Sequence, residues 1–160
     1  DDSKSHYNNL KGCNEAVSLQ ISAPLRAILE KFRSKGLISK SNRPIGLNQM
    51  YTQSDADIIK WFNVVGRGYL NYYRCCNNFY KVKNYVDYMV RWSAIHTLSG
   101  KHKLSSRKVI KKWSKDLVIM DSDNYIIAQF ISNTDIKSMG RKFLLNVDKD
   151  ADLRVLGSKK

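Results

Sequence analysis

The sequence predicts a mainly α-helical protein, a bundle of about four helices followed by a small β-rich C-terminal tail. Two observations support this fold class. Apolar residues between positions 21 and 116 recur every three or four residues, which is the period of an amphipathic helix. From Leu117 onward they form short β-prone runs instead. With 160 residues, 42% of them hydrophobic, the chain is long enough for one domain with its own core and a small appendage.

The chain divides into three segments. Residues 1–20 are polar and lack periodicity, so we expect a flexible or extended lead-in. Residues 21–116 carry the helical domain. Residues 117–160 are expected to form a separate small module or an arm, with β-prone runs at 117–120, 125–131, 143–147 and 153–156.

The first helix is predicted over residues 23–36. Ser22 is the candidate N-cap, and Pro24 suits the first turn, where its missing N–H costs nothing. Gly36 supplies a left-handed C-terminal stop. Residues 37–53 are expected to form a loop.

The second and third helices are predicted over residues 54–75 and 79–99. Ser54 is the N-cap of the second helix, and Gly100 ends the third. Helical spacing assigns to the core Ile58, Phe62, Val65, Tyr69 and Tyr72 of the second helix, and Val82, Tyr85, Val86, Met89, Ser93 and His96 of the third.

The fourth helix is predicted over residues 105–115. Leu104 and Val109 stand on either side of the cap residue Ser105 at the spacing of a hydrophobic staple. The face of this helix that is expected to meet solvent carries Arg107, Lys108, Lys111, Lys112 and Lys115.

Positive charge is concentrated in one third of the chain. The net charge is +14, and residues 60–115 hold thirteen Lys and Arg against one acid, Asp87, so that they account for +12. A field this concentrated indicates a polyanionic partner, since solvated faces usually mix both signs. No apolar run approaches the roughly 18–20 residues that cross a bilayer, and we expect no membrane partner.

Residue types that bind metals form no recognisable site in the sequence. Cys13, Cys75 and Cys76 make no C-x-x-C pair. Residues 148–152 begin like a calcium loop, but Leu153 stands where that loop needs glycine. We therefore predict no metal site and no cofactor.

Three stretches occur in order along the helical segment: Arg43-Pro-Ile-Gly, the run from Asp57 to Tyr73 with its Arg67-Gly-x-Leu-x-Tyr-Tyr core, and the run from Arg91 to Lys108. Over about residues 20–117 the series resembles the maturase domain, domain X, of group II intron reverse transcriptase/maturases of the organellar type. That domain occupies the position of a polymerase thumb.

The resemblance implies an RNA-binding domain without protein-borne catalysis. The family's palm motif, Tyr/Phe-Ala-Asp-Asp, and the Cys/His cluster of its endonuclease have no counterpart here. Asp55 and Asp57 lie at a predicted helix start, where acids favour the helix dipole. We therefore expect a non-enzyme that stabilises folded RNA and assists group II intron splicing, in mitochondria or, as the alternative, in plastids.

Two other functions stay open. The first alternative is a maturase-derived structural protein of an organellar ribonucleoprotein, such as the mitochondrial ribosome, with ribosomal RNA and other proteins as partners. The second alternative is a fragment of a full reverse transcriptase. The chain begins with Asp-Asp, not Met, which is expected for a processed protein or a piece of a longer one.

Basic residues would neutralise phosphates, and aromatic rings would stack on unpaired bases. Arg67 is the strongest candidate because Gly66 and Gly68 leave its surroundings uncrowded, although both glycines also suit close helix packing. The predicted RNA-binding residues are Lys60, Arg67, Tyr73, Arg74, Tyr80, Lys81, Lys83, Arg91, Lys101, His102, Lys103, Arg107, Lys108, Lys111, Lys112 and Lys115.

Overall fold

Four helices and one β-hairpin make up residues 20–131, the part of the chain that the computed structural model describes. The helices are α1 (Leu25–Ser34), α2 (Asp55–Tyr73), α3 (Phe79–His102) and α4 (Ser106–Trp113), with a short 3-10 helix at Asn48–Met50. Strand β1 (Ile119–Met120) pairs antiparallel with β2 (Ile126–Ala128). The mainly α fold with a small β element is confirmed. The expected lead-in up to residue 19 and the expected strands after residue 131 lie outside the described residues.

The start of α1 is held by a distant side chain, and the expectation for Ser22 is wrong. Pro24 occupies the N-cap, where no side chain caps the helix. Instead, the Ala23 N–H donates to Asn78 Oδ1 at 2.8 Å, and Asn78 Nδ2 donates to the Ala23 carbonyl at 3.1 Å. The turn between α2 and α3 therefore fixes where the chain enters α1.

The core lies mainly between α2 and α3, which pack against each other over most of α2. The buried stripe of α2 runs through Phe62, Gly66 and Leu70 to Tyr73. Tyr73 is 6% exposed, whereas Tyr72 is 75% exposed, so the expected order of these two rings is reversed. The reason is that the buried stripe passes through Gly66, which carries no apolar side chain to mark it in the sequence.

The expectation that Tyr85 lies in the core is also wrong. Its side chain is 49% exposed, at the rim of a small apolar groove between α1 and α3. The buried residues of α3 next to it, Val82, Val86 and Met89, keep the predicted helical spacing. At this turn of α3 the apolar residues span a wider face than the one that packs against α1, and Tyr85 lies at its uncovered edge.

The loop between α1 and α2 is pressed onto α3. Gly36 leaves α1 with a φ of +78°, as predicted. At Gly46 a Cβ atom would lie 2.8 Å from the His96 carbonyl oxygen, so only glycine permits this approach. The Leu47 N–H then donates to Thr97 Oγ1 at 3.0 Å, and Ser93 Oγ donates to the Ile45 carbonyl at 2.6 Å. Two buried hydroxyls of α3 thus satisfy the loop backbone.

Helix α3 does not end at Gly100 but continues to His102, and Lys103 then adopts the left-handed conformation with a φ of +52°. Gly100 lies against the Tyr51 ring, where a Cβ atom would overlap the phenol. Its small size serves packing, and Lys103 makes the turn into α4. Helix α4 buries Val109, as the predicted staple requires, but Ser105 makes no side-chain capping bond.

The hairpin joins the core of the helical unit. Phe130 is buried, and its N–H donates to the Asp116 carbonyl at 2.7 Å. Asn63 on α2 donates through Nδ2 to the Gln129 carbonyl at 2.8 Å and accepts from the Ile131 N–H at 3.0 Å. Up to residue 131, the segment that we expected to be an arm shares the core of residues 21–116.

Candidate nucleic-acid interface

The five basic residues predicted on one face of the fourth helix, Arg107, Lys108, Lys111, Lys112 and Lys115, are all exposed. Val109 is the buried residue of α4, and Arg107, Lys108, Lys111 and Lys112 lie on the exposed part of this short helix. The helix ends at Trp113 and not at residue 115 as predicted, so Lys115 lies two residues beyond its end. None of the five forms an ion pair with an acid within residues 20–131. Their charge is therefore directed to solvent and to any partner there.

An aromatic ring lies at the end of this basic face. The Lys112 Nζ atom is 4.5 Å from the centroid of the Trp113 ring, within cation–π range. The Trp113 ring in turn lies 5.1 Å from the His102 ring. An open cavity of about 480 Å³ lies beside them, lined by Lys111, Lys112, Trp113, Ser114, Val118 and Met120. Cations and an indole thus border one concave surface.

Lys101 and His102 bind an acid within the protein. Asp55 Oδ1, at the start of α2, lies 2.8 Å from Lys101 Nζ and 2.8 Å from His102 Nε2. Lys101 also donates to the Gln53 carbonyl. Burial alone would raise the pKa of the Asp55 carboxyl, but the hydrogen bonds and charges of Lys101 and His102 outweigh it, and the pKa lies below its ordinary value. Lys101 and His102 thus have a partner within the protein, and their predicted contact with RNA stays a prediction.

Arg91 is also occupied inside the fold. Its side chain is 16% exposed, with Nε 3.4 Å from Asp87 and Nη1 3.2 Å from Asp116. Its guanidinium carbon lies 4.9 Å from the centroid of the Phe130 ring. These contacts join α3 to the segment that leads into the hairpin, so Arg91 has a structural role, and its predicted contact with RNA stays a prediction.

The basic residues of α2 and of early α3 are divided. Lys60, Arg67 and Lys81 are exposed. Arg74 and Lys83 are half-buried, and each has an interaction within the protein. Past the end of α3, Lys103 is exposed.

The two glycines beside Arg67 differ in role: Gly66 serves close helix packing, and Gly68 leaves open space. Gly66 is buried against the core. At Gly68 a Cβ atom would meet nothing within 4 Å.

Two tyrosines were predicted as stacking residues. Tyr80, on α3, is 74% exposed and available. Tyr73 is buried, and this expectation is corrected because its ring belongs to the core stripe of α2. The sequence reasoning missed Tyr72, whose exposed ring borders an open cleft of about 370 Å³ between α1 and α2, together with Lys31 and Lys35. Both lysines precede the basic segment, so a count of charge along the chain could not connect them to it.

Residues 20–131 offer little for a metal site or a membrane span. No cluster of His, Cys, Asp and Glu side chains in this part of the chain could hold a metal ion. His96 is half-buried, as its place on the apolar face of α3 suggested, and burial lowers its pKa. No helix in this part of the chain is both long and apolar enough to cross a membrane.

Comparison with known proteins identifies the family. The type II intron maturase family matches residues 16–151. A putative COX1/OXI3 intron 2 protein of Saccharomyces cerevisiae is 35% identical over 105 residues, which are 64% of this chain and 12% of the yeast protein. Nuclear intron maturase 4, mitochondrial, of Arabidopsis thaliana is 27% identical over 100 residues, 62% of this chain and 12% of the plant protein. Maturase K of Palhinhaea cernua is 30% identical over 94 residues, 59% of this chain and 18% of its own length.

The chain therefore spans less than a fifth of the length of each of these relatives. The matched region of 16–151 includes all four helices and the hairpin. The resemblance in the motif series and the family match agree, and the chain belongs to the type II intron maturase family.

Proposed function

We propose that this chain is an RNA-binding maturase domain that stabilises the folded form of a group II intron RNA and so assists its splicing. The observation that carries the proposal is the exposed cationic face formed by α4 and Lys115 just after it, hereafter the α4 face. Its five basic residues form no ion pair with an acid in residues 20–131, and Trp113 lies at the end of the helix. Family membership supports an intron RNA as the partner of this face.

The physical role of the face is to neutralise phosphates. Folding of a large RNA brings phosphates together, and Lys and Arg side chains replace condensed counterions at such places. Phosphate contacts position the protein without reading sequence, while exposed rings such as Tyr80 contact unpaired bases. In this proposal the RNA performs the transesterifications, and the protein binds and positions. We place the protein in an organelle, the mitochondrion in the first instance and the plastid as the alternative.

A structural place in an organellar ribonucleoprotein is the second candidate function. The α4 face favours it equally, because phosphate contacts do not distinguish intron RNA from ribosomal RNA. Purification from the organelle separates the two. Recovery of intron RNA crosslinked to the chain supports the maturase function, and stoichiometric recovery with a ribosomal subunit supports the structural one.

The dependence of RNA affinity on salt tests the proposed function. If about six basic residues meet phosphates, the logarithm of the binding constant should fall with the logarithm of salt concentration with a slope of roughly −4 to −5. The pair Lys108→Gln and Lys111→Gln should reduce the slope by about 2, one for each lost phosphate contact. These positions leave the Lys112–Trp113 contact intact.

A matched control is available in α1 and the following loop. Arg26 and Lys40 are also exposed, and the pair Arg26→Gln and Lys40→Gln removes the same charge outside the α4 face. This control should leave the slope nearly unchanged. Equal effects of the two pairs would show that net charge matters and the α4 face does not, and a wild-type slope near about −1 would argue against a polyanion.

A further inference from the structure

The cleft between α1 and α2 combines positive charge with aromatic rings. Lys35 Nζ lies 5.5 Å from the centroid of the Tyr69 ring, and Lys31 stands one turn earlier on α1 at the same cleft. None of the residues that line the cleft is acidic. Burial raises the pKa of the Tyr69 phenol, with a smaller contribution from Tyr73. Lys31 and Lys35 are the charged residues that line the cleft. The cleft is thus complementary to a single anionic group.

The aromatic walls are held from behind by the core. The Tyr69 ring packs against Phe32 with centroids 4.7 Å apart. The Tyr72 ring stands edge-on to the buried Tyr73 ring, with centroids 4.8 Å apart and planes at 86°. Tyr72 is nonetheless 75% exposed. The ring therefore offers most of its surface for stacking with a planar ligand, and a tyrosine has few side-chain torsions to order on binding.

Gly68 leaves the floor of the cleft open. It lies in the interior of α2, where glycine is unfavourable relative to alanine, yet a Cβ atom at this position would meet nothing within 4 Å. Close packing within residues 20–131 therefore does not require this glycine, unlike Gly46. An unhindered approach of a ligand to the helix backbone does account for it.

Exposed residues of α2 continue from the cleft along one face of the helix and include two basic residues. Lys60, Val64, Arg67 and Asn71 follow at intervals of three or four residues and are all exposed, so they share one face of the helix. Gly68 and Tyr72 lie at the edge of that face. A polyanionic chain whose unit occupies the cleft would meet Arg67 and Lys60 with its neighbouring phosphates.

We propose that the cleft between α1 and α2 binds one unpaired nucleotide of the RNA, with its base stacked on Tyr72 above Gly68 and its phosphate paired with Lys31 and Lys35. This inference rests on the proposed function, because it specifies single-stranded RNA as the ligand of a second surface. Duplex RNA would bind the α4 face through its phosphates but would offer no free base to the cleft. The two surfaces therefore respond to different forms of RNA.

The test compares two RNA probes of equal phosphate number: a short single strand that carries a fluorescent purine analogue, and a blunt duplex. Tyr72→Ala should weaken binding of the single strand by about 5- to 150-fold, the range for losing one base–aromatic stack. The stack with Tyr72 should quench the fluorescence of the analogue, so the variant should also abolish this quenching. Its affinity for the duplex should be unchanged. Gly68→Leu, which fills the floor with a good helix former, should have the same pattern.

Tyr125→Ala is the matched control, since Tyr125 is 74% exposed and lies in the hairpin, away from the cleft. It should change neither affinity. If the wild-type chain binds both probes and the Tyr72 and Gly68 variants bind the single strand equally well, the inference is wrong and the cleft has another occupant, such as an acidic peptide. If the wild-type chain binds neither probe, the proposed function itself fails.

Discussion

Replacement of Gly68 by alanine should stabilise the protein. Glycine in a helix interior is about 0.8–1.0 kcal/mol less favourable than alanine, mainly because the unfolded chain is freer. The added methyl group would meet no atom within 4 Å, so no steric cost opposes this gain. The net effect is about 1 kcal/mol, which for a domain of this size raises the melting temperature by roughly 2–4 °C.

Thermal melting followed by circular dichroism measures this effect, with Gly46→Ala as the opposite control. At Gly46 the methyl group would lie 2.8 Å from the His96 carbonyl oxygen and 2.9 Å from its carbon, and a helix backbone cannot yield as a side chain can. That variant should melt earlier than the wild type. A lower melting temperature for Gly68→Ala would refute the reasoning, because it would mean that the space above Gly68 is occupied in the folded chain.

Three further predictions concern stability and are measured by urea denaturation. Asp55→Asn should lower the free energy of unfolding by about 1–3 kcal/mol at neutral pH, as expected for a partly buried ion pair. Because the Asp55 pKa is lowered from 3.8, its contribution is present above that value and is lost as the pH falls through the folded pKa, so the difference from wild type should shrink there. Phe62→Ala should cost about 3–5 kcal/mol because the ring is fully buried, whereas Tyr72→Ala should cost no more than about 0.5 kcal/mol; equal losses would contradict the assignment of core and surface. Asn78→Ala should cost about 1–3 kcal/mol by leaving the Ala23 N–H and carbonyl without their partner, and Asn78→Asp should not restore the loss, because a carboxylate oxygen would then face the Ala23 carbonyl oxygen.

The sequence was sufficient to predict those features that depend on local pattern. Periodicity predicted all four helices, the predicted β-prone runs at 117–120 and 125–131 contain the two strands, and Ser54 caps α2 as its side chain accepts the Asp57 N–H at 3.2 Å. The solvent-facing position of the four cations of α4 follows from the helical period. Each of these features is decided by neighbours within a few residues along the chain.

Features decided by distant residues could not be predicted in this way. The charge of residues 60–115 is a property of the sequence, but Asp55 and Asp116, just outside that segment, bind Lys101, His102 and Arg91 in space. Three predicted RNA-binding residues therefore bind acids that lie outside the segment whose charge was counted. The entry to α1 is another case, since the Ala23 backbone is held by Asn78, a residue more than fifty positions along the chain.

The contacts of Asp55 with Lys101 and His102 also affect how α4 binds a partner. Helix α4 has eight residues, of which Val109 is buried and Ile110 and Trp113 pack against the core at its second half. The His102 ring, which is bound to Asp55, lies tilted against the Trp113 ring at the end of α4. The carboxylate thereby preorganises a surface that it does not touch, and its loss would make the cations more mobile before binding. Removal of Asp55 would then act on RNA affinity in two opposite ways: α4 would lose more freedom on binding, and Lys101 and His102 would be released from their acid within the protein.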